Sequence, residues 1–184
     1  MFISGSIPLP TFNKKTICNN LKNRAIADGC DWIFPIDADE QLVLPFTYEN
    51  LLDYLTDLQK LSDFHFCAFE IPYKDIFPTG EKWHEPQKKV FGRFPAQWVL
   101  SYGSHLVERV KPIEVEDGYY AHYPIRSYEQ FKSKVTAYMT AFYQNPDMRS
   151  HAHARNYHLW QQQGEPFIQQ LYDTCLATLQ WPPE

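Results

Sequence analysis

Three carboxylates close an apolar run in the segment Asp31-Trp32-Ile33-Phe34-Pro35-Ile36-Asp37-Ala38-Asp39-Glu40. An apolar run of this length, bounded by turn residues, predicts a strand over 31–37 buried on both faces. Ionised carboxylates cannot stay inside such a layer without partners, because desolvating a charge costs several kcal/mol. Asp37, Asp39 and Glu40 must therefore sit where the strand leaves the core, and in an open α/β sheet ligands bind at that end. Asp37 and Asp39 are two apart, which on an extended chain aims both to one side. Two oxygen-rich side chains converging on one point suit a hard cation, Mg²⁺ or Mn²⁺, that keeps positions for substrate phosphates. The same residues also have a structural use, since Asp and Glu after a strand cap helices and form turns.

The elements that must position these groups follow from periodicity. Residues 1–12 read as an irregular or edge segment. Asn13 predicts the N-cap of a helix to about Asp28, with Ile17, Leu21 and Ala25 at four-residue spacing and Gly29 as its stop. A helix feeding a buried strand is half of a βαβ unit. Thr47 predicts the cap of a second helix carrying the stripe Tyr48, Leu51, Leu52, Leu55, Leu58 and Leu61. Phe64 to Ile71 is β-prone and closed by Pro72. Between Tyr73 and Tyr123, short β-like pieces (88–94, 97–100, 105–110, 113–123) alternate with Pro and Gly, predicting an antiparallel, loop-rich layer with Asp117-Gly118 as a hairpin turn. Ser127 and Gln130 fit a capping box, ahead of a helix burying Phe131, Val135, Tyr138 and Phe142. Residues 145–158 form a polar, His-rich connector, and Pro166 opens a last helix.

Composition narrows the class. The chain has 184 residues, 44% hydrophobic and 21% charged, an ordinary globular balance that fits one domain with a substantial core. The aromatic share, 16%, points to core packing or to a cleft that stacks sugars or bases. The net charge of −5 and the lack of a basic block omit the electrostatic footprint of a nucleic-acid binder. Cys18, Cys30, Cys67 and Cys175 form no C-x-x-C pair, and their wide spacing favours free buried thiols in a reducing cytosol. The start has no basic n-region of a secretory signal, and no run is long and apolar enough for a membrane span. The expected compartment is therefore the cytoplasm, with peripheral association at the inner face of the membrane compatible with it. His151, His153 and His158 carry a zinc-like spacing, but their polar setting without a nearby carboxylate favours a plain connector.

Two blocks resemble one family. Gly29-Cys30-Asp31-Trp32-Ile33-Phe34-Pro35-Ile36-Asp37-Ala38-Asp39-Glu40 looks like the "aDWi..lDaDEfl" block of family-2-like glycosyltransferases of GT-A fold. Ala121-His122-Tyr123-Pro124-Ile125-Arg126-Ser127-Tyr128-Glu129-Gln130-Phe131-Lys132-Ser133-Lys134 is similar to their "HYpiRSyeqFl.K" stretch. The two occur in the right order, and the match spans roughly residues 14 to 140. The fold this implies is α/β: a partial GT-A (Rossmann-like) mixed sheet flanked by helices, with an antiparallel loop-rich layer and C-terminal helices. Residues 1–144 would form the partial transferase domain, with the connector and helix of 145–184 packed on it.

The resemblance implies a transferase moving a sugar from a nucleotide-sugar donor to a glycan or lipid-linked acceptor with Mn²⁺ or Mg²⁺. It places Asp37 near the ribose and Asp39 on the metal bridging the diphosphate, with Glu40 acting through water or holding the loop. His122 would complete the metal site, or else bond to backbone at a strand end. Arg126 stands where a guanidinium and a helix N-terminus could meet an anion, or in a surface ion pair. Glu116, Asp117 and Glu85 are candidates for the base of an inverting transfer, although Asp117-Gly118 is more in keeping with a turn. Trp83 is either a sugar-stacking surface or a core or lid residue, and His105 is placed in an acceptor cleft. Lys88, Lys89 and Arg93 are phosphate contacts or, more in keeping with their pattern, a solvated β-edge.

The family's opening strand and the acidic residue gripping the base have no counterpart ahead of Asn13. That suggests a truncated product, an inactive remnant, or a fold completed by a partner chain. A non-catalytic interaction or scaffold protein with a degenerate transferase fold is the competing function. A metal-dependent hydrolase on the same carboxylates is a third.

Overall fold

The computed structural model describes residues 14–62, 64–101, 105–144, 156, 159–160 and 162–180. Its contacts divide the chain into a unit of Asn13–Pro124 and a second built around Ile125–Glu184. The first unit contains helices α1 (Lys14–Ala27) and α2 (Leu51–Lys60). Its strands are β1 (Glu40–Val43), β2 (Cys67–Phe77), β3 (Gly80–Arg93), β4 (Leu100–Ser101), β5 (Leu106–Val107), β6 (Ile113–Glu114) and β7 (Tyr119–His122). The main sheet runs β1-β7-β2-β3, with β6 also on β2. β1–β7 and β2–β3 are antiparallel, whereas β6 and β7 lie in tandem, parallel to β2. This is an α/β unit with a mixed sheet and flanking helices. β4 and β5 form a separate small ribbon.

Alternation along β2 explains both faces of the sheet. Phe69, Ile71 and Tyr73 point to the face covered by α2, where they meet Phe91, Tyr120, Tyr54, Leu55 and Leu58. Burying each of these large side chains contributes roughly 1.5–3 kcal/mol. Ala68 and Val90 point the other way, onto Phe94, Leu100 and Val107. Much of the aromatic content is here: Phe34 stacks on Phe91 at 4.8 Å, Trp32 on Phe69 at 5.9 Å, and Phe69 on Phe91 at 5.6 Å. Packing, rather than a stacking cleft, accounts for these rings.

Several expectations are corrected. The segment 31–37 is not a strand buried on both faces. It is extended with a single bridge, Ile33 to Gly92, and Ile36 is exposed. Gly92 is required there, because a Cβ would lie 2.2 Å from the carbonyl oxygen of Cys67. Helix α1 does stop before Gly29, whose φ is 86°, while Asn13 lies outside the described residues. Its apolar stripe is not its packing face, since Ile17 and Leu21 are exposed. The helix is held by polar groups instead. Asn19 exchanges two hydrogen bonds with the backbone of Leu100, and buried Lys22 donates to the carbonyls of Pro95, Ala96 and Trp98. Helix α2 is capped by Asn50, not Thr47: the Asn50 side chain accepts from the N–H of Asp53. Its Leu51, Leu52 and Leu61 are exposed.

β2 runs through Pro72 to Phe77, with a register shift between Pro72 and Lys74. Asp117-Gly118 is not a hairpin turn. It is a bend between β6 and β7, which both follow β2 in the same direction. The four cysteines are free, but only Cys67 and Cys175 are buried.

In the second unit, α3 (Tyr128–Gln144) and α4 (Glu165–Thr178) carry the packing. Ser127 caps α3 through the N–H of Gln130, and the Gln130 side chain accepts from the N–H of Arg126. Phe131 and Val135 are fully buried, Phe131 packs against Tyr172 of α4, and the Phe142 side chain lies outside the described ones. Among the described residues, no helix is long and apolar enough to cross a membrane.

The Tyr120 hydroxyl is buried in the first unit's core without a hydrogen-bond partner among the described residues. An unsatisfied buried donor costs stability that an isosteric apolar ring does not. Tyr120→Phe is expected to raise the unfolding free energy by about 1 kcal/mol in urea denaturation.

Candidate functional site

The carboxylates sit in a turn rather than at the end of a strand. The Glu40 N–H donates to the Asp37 carbonyl at 3.0 Å, and the Asp37 N–H donates to Glu40 Oε2 at 2.9 Å. This closes the turn and starts β1 at Glu40. The strand period of two that aimed Asp37 and Asp39 to one side does not apply in a turn. Asp37 Oδ2 lies 3.3 Å from Lys89 Nζ, whereas Asp39 Oδ2 lies 3.5 Å from His122 Nε2.

Lys89 is the buried cation of the site. Its side chain is 1% exposed and its Nζ lies 2.8 Å from Glu40 Oε1, whose own side chain is 2% exposed. Lys89 comes from β3 opposite Ile71, on the α2 face of the sheet. The Tyr73 hydroxyl donates to Glu40 Oε1 at 3.1 Å. Burial first, and then the Glu40 charge, pushes the Tyr73 phenol far above its ordinary pKa, so it remains a donor. Glu40 is thus committed to Lys89, Tyr73 and the Asp37 backbone. It is buried and holds the loop.

His122 lies across the sheet from Glu40, where β7 pairs with β1. Its Nδ1 is 2.6 Å from Asp75 Oδ1, and its ring stacks on Tyr73 with centroids 5.2 Å apart. Asp75 accepts the Nδ1 proton, which turns Nε2 toward Asp39. A carboxylate behind one ring nitrogen is how proteins orient a histidine ligand. Burial pulls the His122 pKa down, but hydrogen bonds and charge from Asp39 and Asp75 outweigh it, and the net shift is upward.

Asp37, Asp39, Glu40 and Asp75 outnumber Lys89 and His122, which leaves an excess of negative charge. Among the described residues, no group of three or more His, Cys, Asp or Glu side chains is arranged to hold a metal. The donors that fit a cation are two, Asp39 and His122. Two is too few for a closed structural site, but compatible with Mg²⁺ or Mn²⁺, which keep waters and bind substrate phosphates. A cavity of about 340 Å³ between α1 and the 31–37 segment has Asp37 in its wall, among Trp32, Phe34 and Ile36.

The other candidates have surroundings of their own, His105 alone packing against a member of the cluster, Tyr73. Glu116 and Asp117 precede β7 while His122 ends it, about 16 Å away along an extended chain. The Asp117 carbonyl accepts from Tyr54 OH. Glu85 lies on β3, and its side chain falls outside the described ones. Arg126 is exposed in the second unit, just ahead of α3. Lys88 pairs with Glu70 and Glu114, and Arg93 pairs with Asp31. Trp83 is half exposed over Lys74, whose Nζ lies 4.3 Å from its ring centre. Lys74 alternates to the face opposite Tyr73. His105 bonds the Lys88 carbonyl through Nδ1 and packs edge-on against Tyr73. His151, His153 and His158 lie outside the described residues.

Two members of the cluster were not singled out as such from the sequence. Asp75 continues the i+2 series Phe69, Ile71, Tyr73, and Lys89 shares the face of Phe91. A polar residue in step with an apolar alternation was the available signal. No protein-family model, curated protein or solved structure matches the chain.

Removing Lys89 leaves the Glu40 carboxylate buried and uncompensated. Lys89→Met is expected to cost about 3–5 kcal/mol in denaturant unfolding, and Lys89→Met combined with Glu40→Gln to recover part of it. His122 gives the unit a pH dependence. Its folded pKa is raised, so its stabilisation is fully present below its ordinary value of 6.5 and is lost as pH rises through the folded value. In chelator-treated protein, Tm is expected to fall across that upward window, and His122→Gln to flatten the fall.

Proposed function

We propose that this chain carries the metal-dependent site of a glycosyltransferase that takes a nucleotide-sugar donor, built on a partial GT-A-type unit. One observation carries the proposal. The two motif blocks that suggest the family meet in space, with Asp39 of the first facing His122 of the second at 3.5 Å. β1 and β7 bring them together, and the Tyr123 N–H donates to the Asp39 carbonyl at 2.8 Å.

In this reading Asp39 and His122 hold Mn²⁺ or Mg²⁺. When bound, such a cation offsets the charge that grows on a departing nucleoside diphosphate. The protein's own groups prepare the place. Asp75 keeps a proton on Nδ1, so that Nε2 presents its lone pair. Tyr73 fixes the plane of the ring by stacking. Lys89 neutralises Glu40 and draws Asp37 aside, so that the turn stays rigid while Asp39 remains at the rim, 25% exposed. Asp37, in the cavity wall, is placed to accept from a hydroxyl of the donor. A glycan or lipid-linked acceptor remains the proposed second substrate, and a partner chain completing the fold remains part of the proposal.

The alternative, an interaction or scaffold protein with a degenerate transferase fold, draws on Lys89. An internal ammonium already satisfies part of the acidic cluster, which a purely structural site also requires. Calorimetry separates the two. The transferase reading expects Mn²⁺ to bind and to strengthen the binding of a nucleoside diphosphate, with Asp39→Ala and His122→Ala each weakening Mn²⁺ by about tenfold or more. Absence of both metal and nucleotide binding by the folded protein selects the scaffold reading.

A further inference from the structure

A second cavity lies at the other end of β2. It has a volume of about 540 Å³ and opens between the end of α2, the start of β2, Trp98 and the 110–113 segment. From Cys67 to Asp75 the strand covers about 26 Å, so the cavity is remote from the acidic cluster. Its size lies within the range of small-molecule sites, which are typically apolar with a few placed polar groups.

The rim is unusual for a protein surface. Leu61 is 61% exposed, Phe64 74% and Phe66 44%, three large apolar side chains within six residues. Scattered exposed apolar residues need no explanation, whereas a contiguous patch around a cavity does. The rim is also fixed in place. The Phe64 N–H donates to Ser62 Oγ, and the Phe64 carbonyl accepts from Ser62 Oγ and Gln59 Nε2. These bonds tie the Phe64 backbone to Ser62 and to the end of α2. Inside, Trp98, Ala68 and Ile113 continue the apolar lining.

One charge lies in this lining. Lys111 is exposed in the cavity wall and has no carboxylate partner among the described residues. The other lysines that line or approach the unit's interior are spoken for: Lys22 by carbonyls, Lys74 by Glu81, Lys88 by Glu70 and Glu114, and Lys89 by Glu40. An apolar cavity whose wall carries Lys111, without a carboxylate partner among the described residues, complements an apolar chain that ends in one negative charge. We propose that this cavity binds a monomeric anionic amphiphile of the fatty-carboxylate class, with the chain against Trp98 and the Phe64–Phe66 rim and the head group at Lys111. The inference is independent of the transferase proposal.

Dodecanoate, kept below its micelle concentration, is the probe. Calorimetry on the full chain is expected to show one dodecanoate per protein, with dodecyltrimethylammonium weaker by about tenfold. Lys111→Gln is expected to weaken dodecanoate by about fivefold while leaving dodecanol unchanged. Trp98 fluorescence should respond to the ligand, and Asp39→Ala should bind it as the unsubstituted chain does, which separates this site from the acidic cluster. Several results overturn the proposal: no binding of dodecanoate, equal binding of the cationic analogue, or an unchanged affinity in Lys111→Gln. So does adsorption to anionic vesicles in place of monomer uptake. A dimer that Phe64→Ser dissociates, with no dodecanoate bound, assigns the patch to a second copy and overturns it equally.

Discussion

An ammonium with almost no contact with water survives inside a sheet only beside an anion, and Lys89 has Glu40 for that purpose. Each of the two charges makes the other tolerable, and the pair ties together elements distant in sequence. Lys89 belongs to β3 at one side of the sheet and Glu40 to β1 at the other, with β2 and β7 between them. Tyr73 of β2 closes the gap by donating to Glu40. The arrangement therefore fixes the width of the sheet at its polar end. The Asp37–Glu40 turn takes its geometry from the same carboxylate, since the Asp37 N–H donates to it. What happens at Asp39 and His122 depends on a turn set by this charge pair, whose Glu40 follows Asp39 in the chain and lies opposite His122 in the ladder.

His122 shows how a surface ligand can be prepared from below. Its ring lies on Tyr73 and its inner nitrogen on Asp75, both from β2, so the outer nitrogen faces Asp39 without choice of rotamer. The same strand that supplies the apolar core through Phe69 and Ile71 thus supplies the supports of the acidic cluster two and four residues further on. Core and cluster are successive segments of one face.

Much of this was legible in the residues. The apolar run ending in Asp37, Asp39 and Glu40 marked the place, and His122 was drawn to it by a second block. The Ser127 cap and the end of α1 at Gly29 follow from local rules that tertiary contacts do not disturb. The misses have physical causes. The turn at 37–40 overrode the period of two, because Glu40 is more valuable to Lys89 than to an extended chain. Lys89 looked like a solvated edge, as lysines usually are, until a partner from another strand was in view. Asp117-Gly118 has strong turn chemistry, yet a parallel neighbour captured both flanking pieces. Gly118 serves a close approach there, with the position of its absent Cβ 2.9 Å from the Val43 carbonyl.

The attachment of α1 carries a thermal consequence. This helix is docked through Asn19 and Lys22 to backbone carbonyls and an N–H, while Ile17 and Leu21 stay in solvent. Detaching it exposes little new hydrocarbon, so its release involves only a small heat-capacity change and a shallow dependence on denaturant. Such a segment can open as a cooperative piece of its own, well before the β2-centred core gives way. The helix that walls one side of the Asp37 cavity is then also a part of the unit whose release lets solvent in.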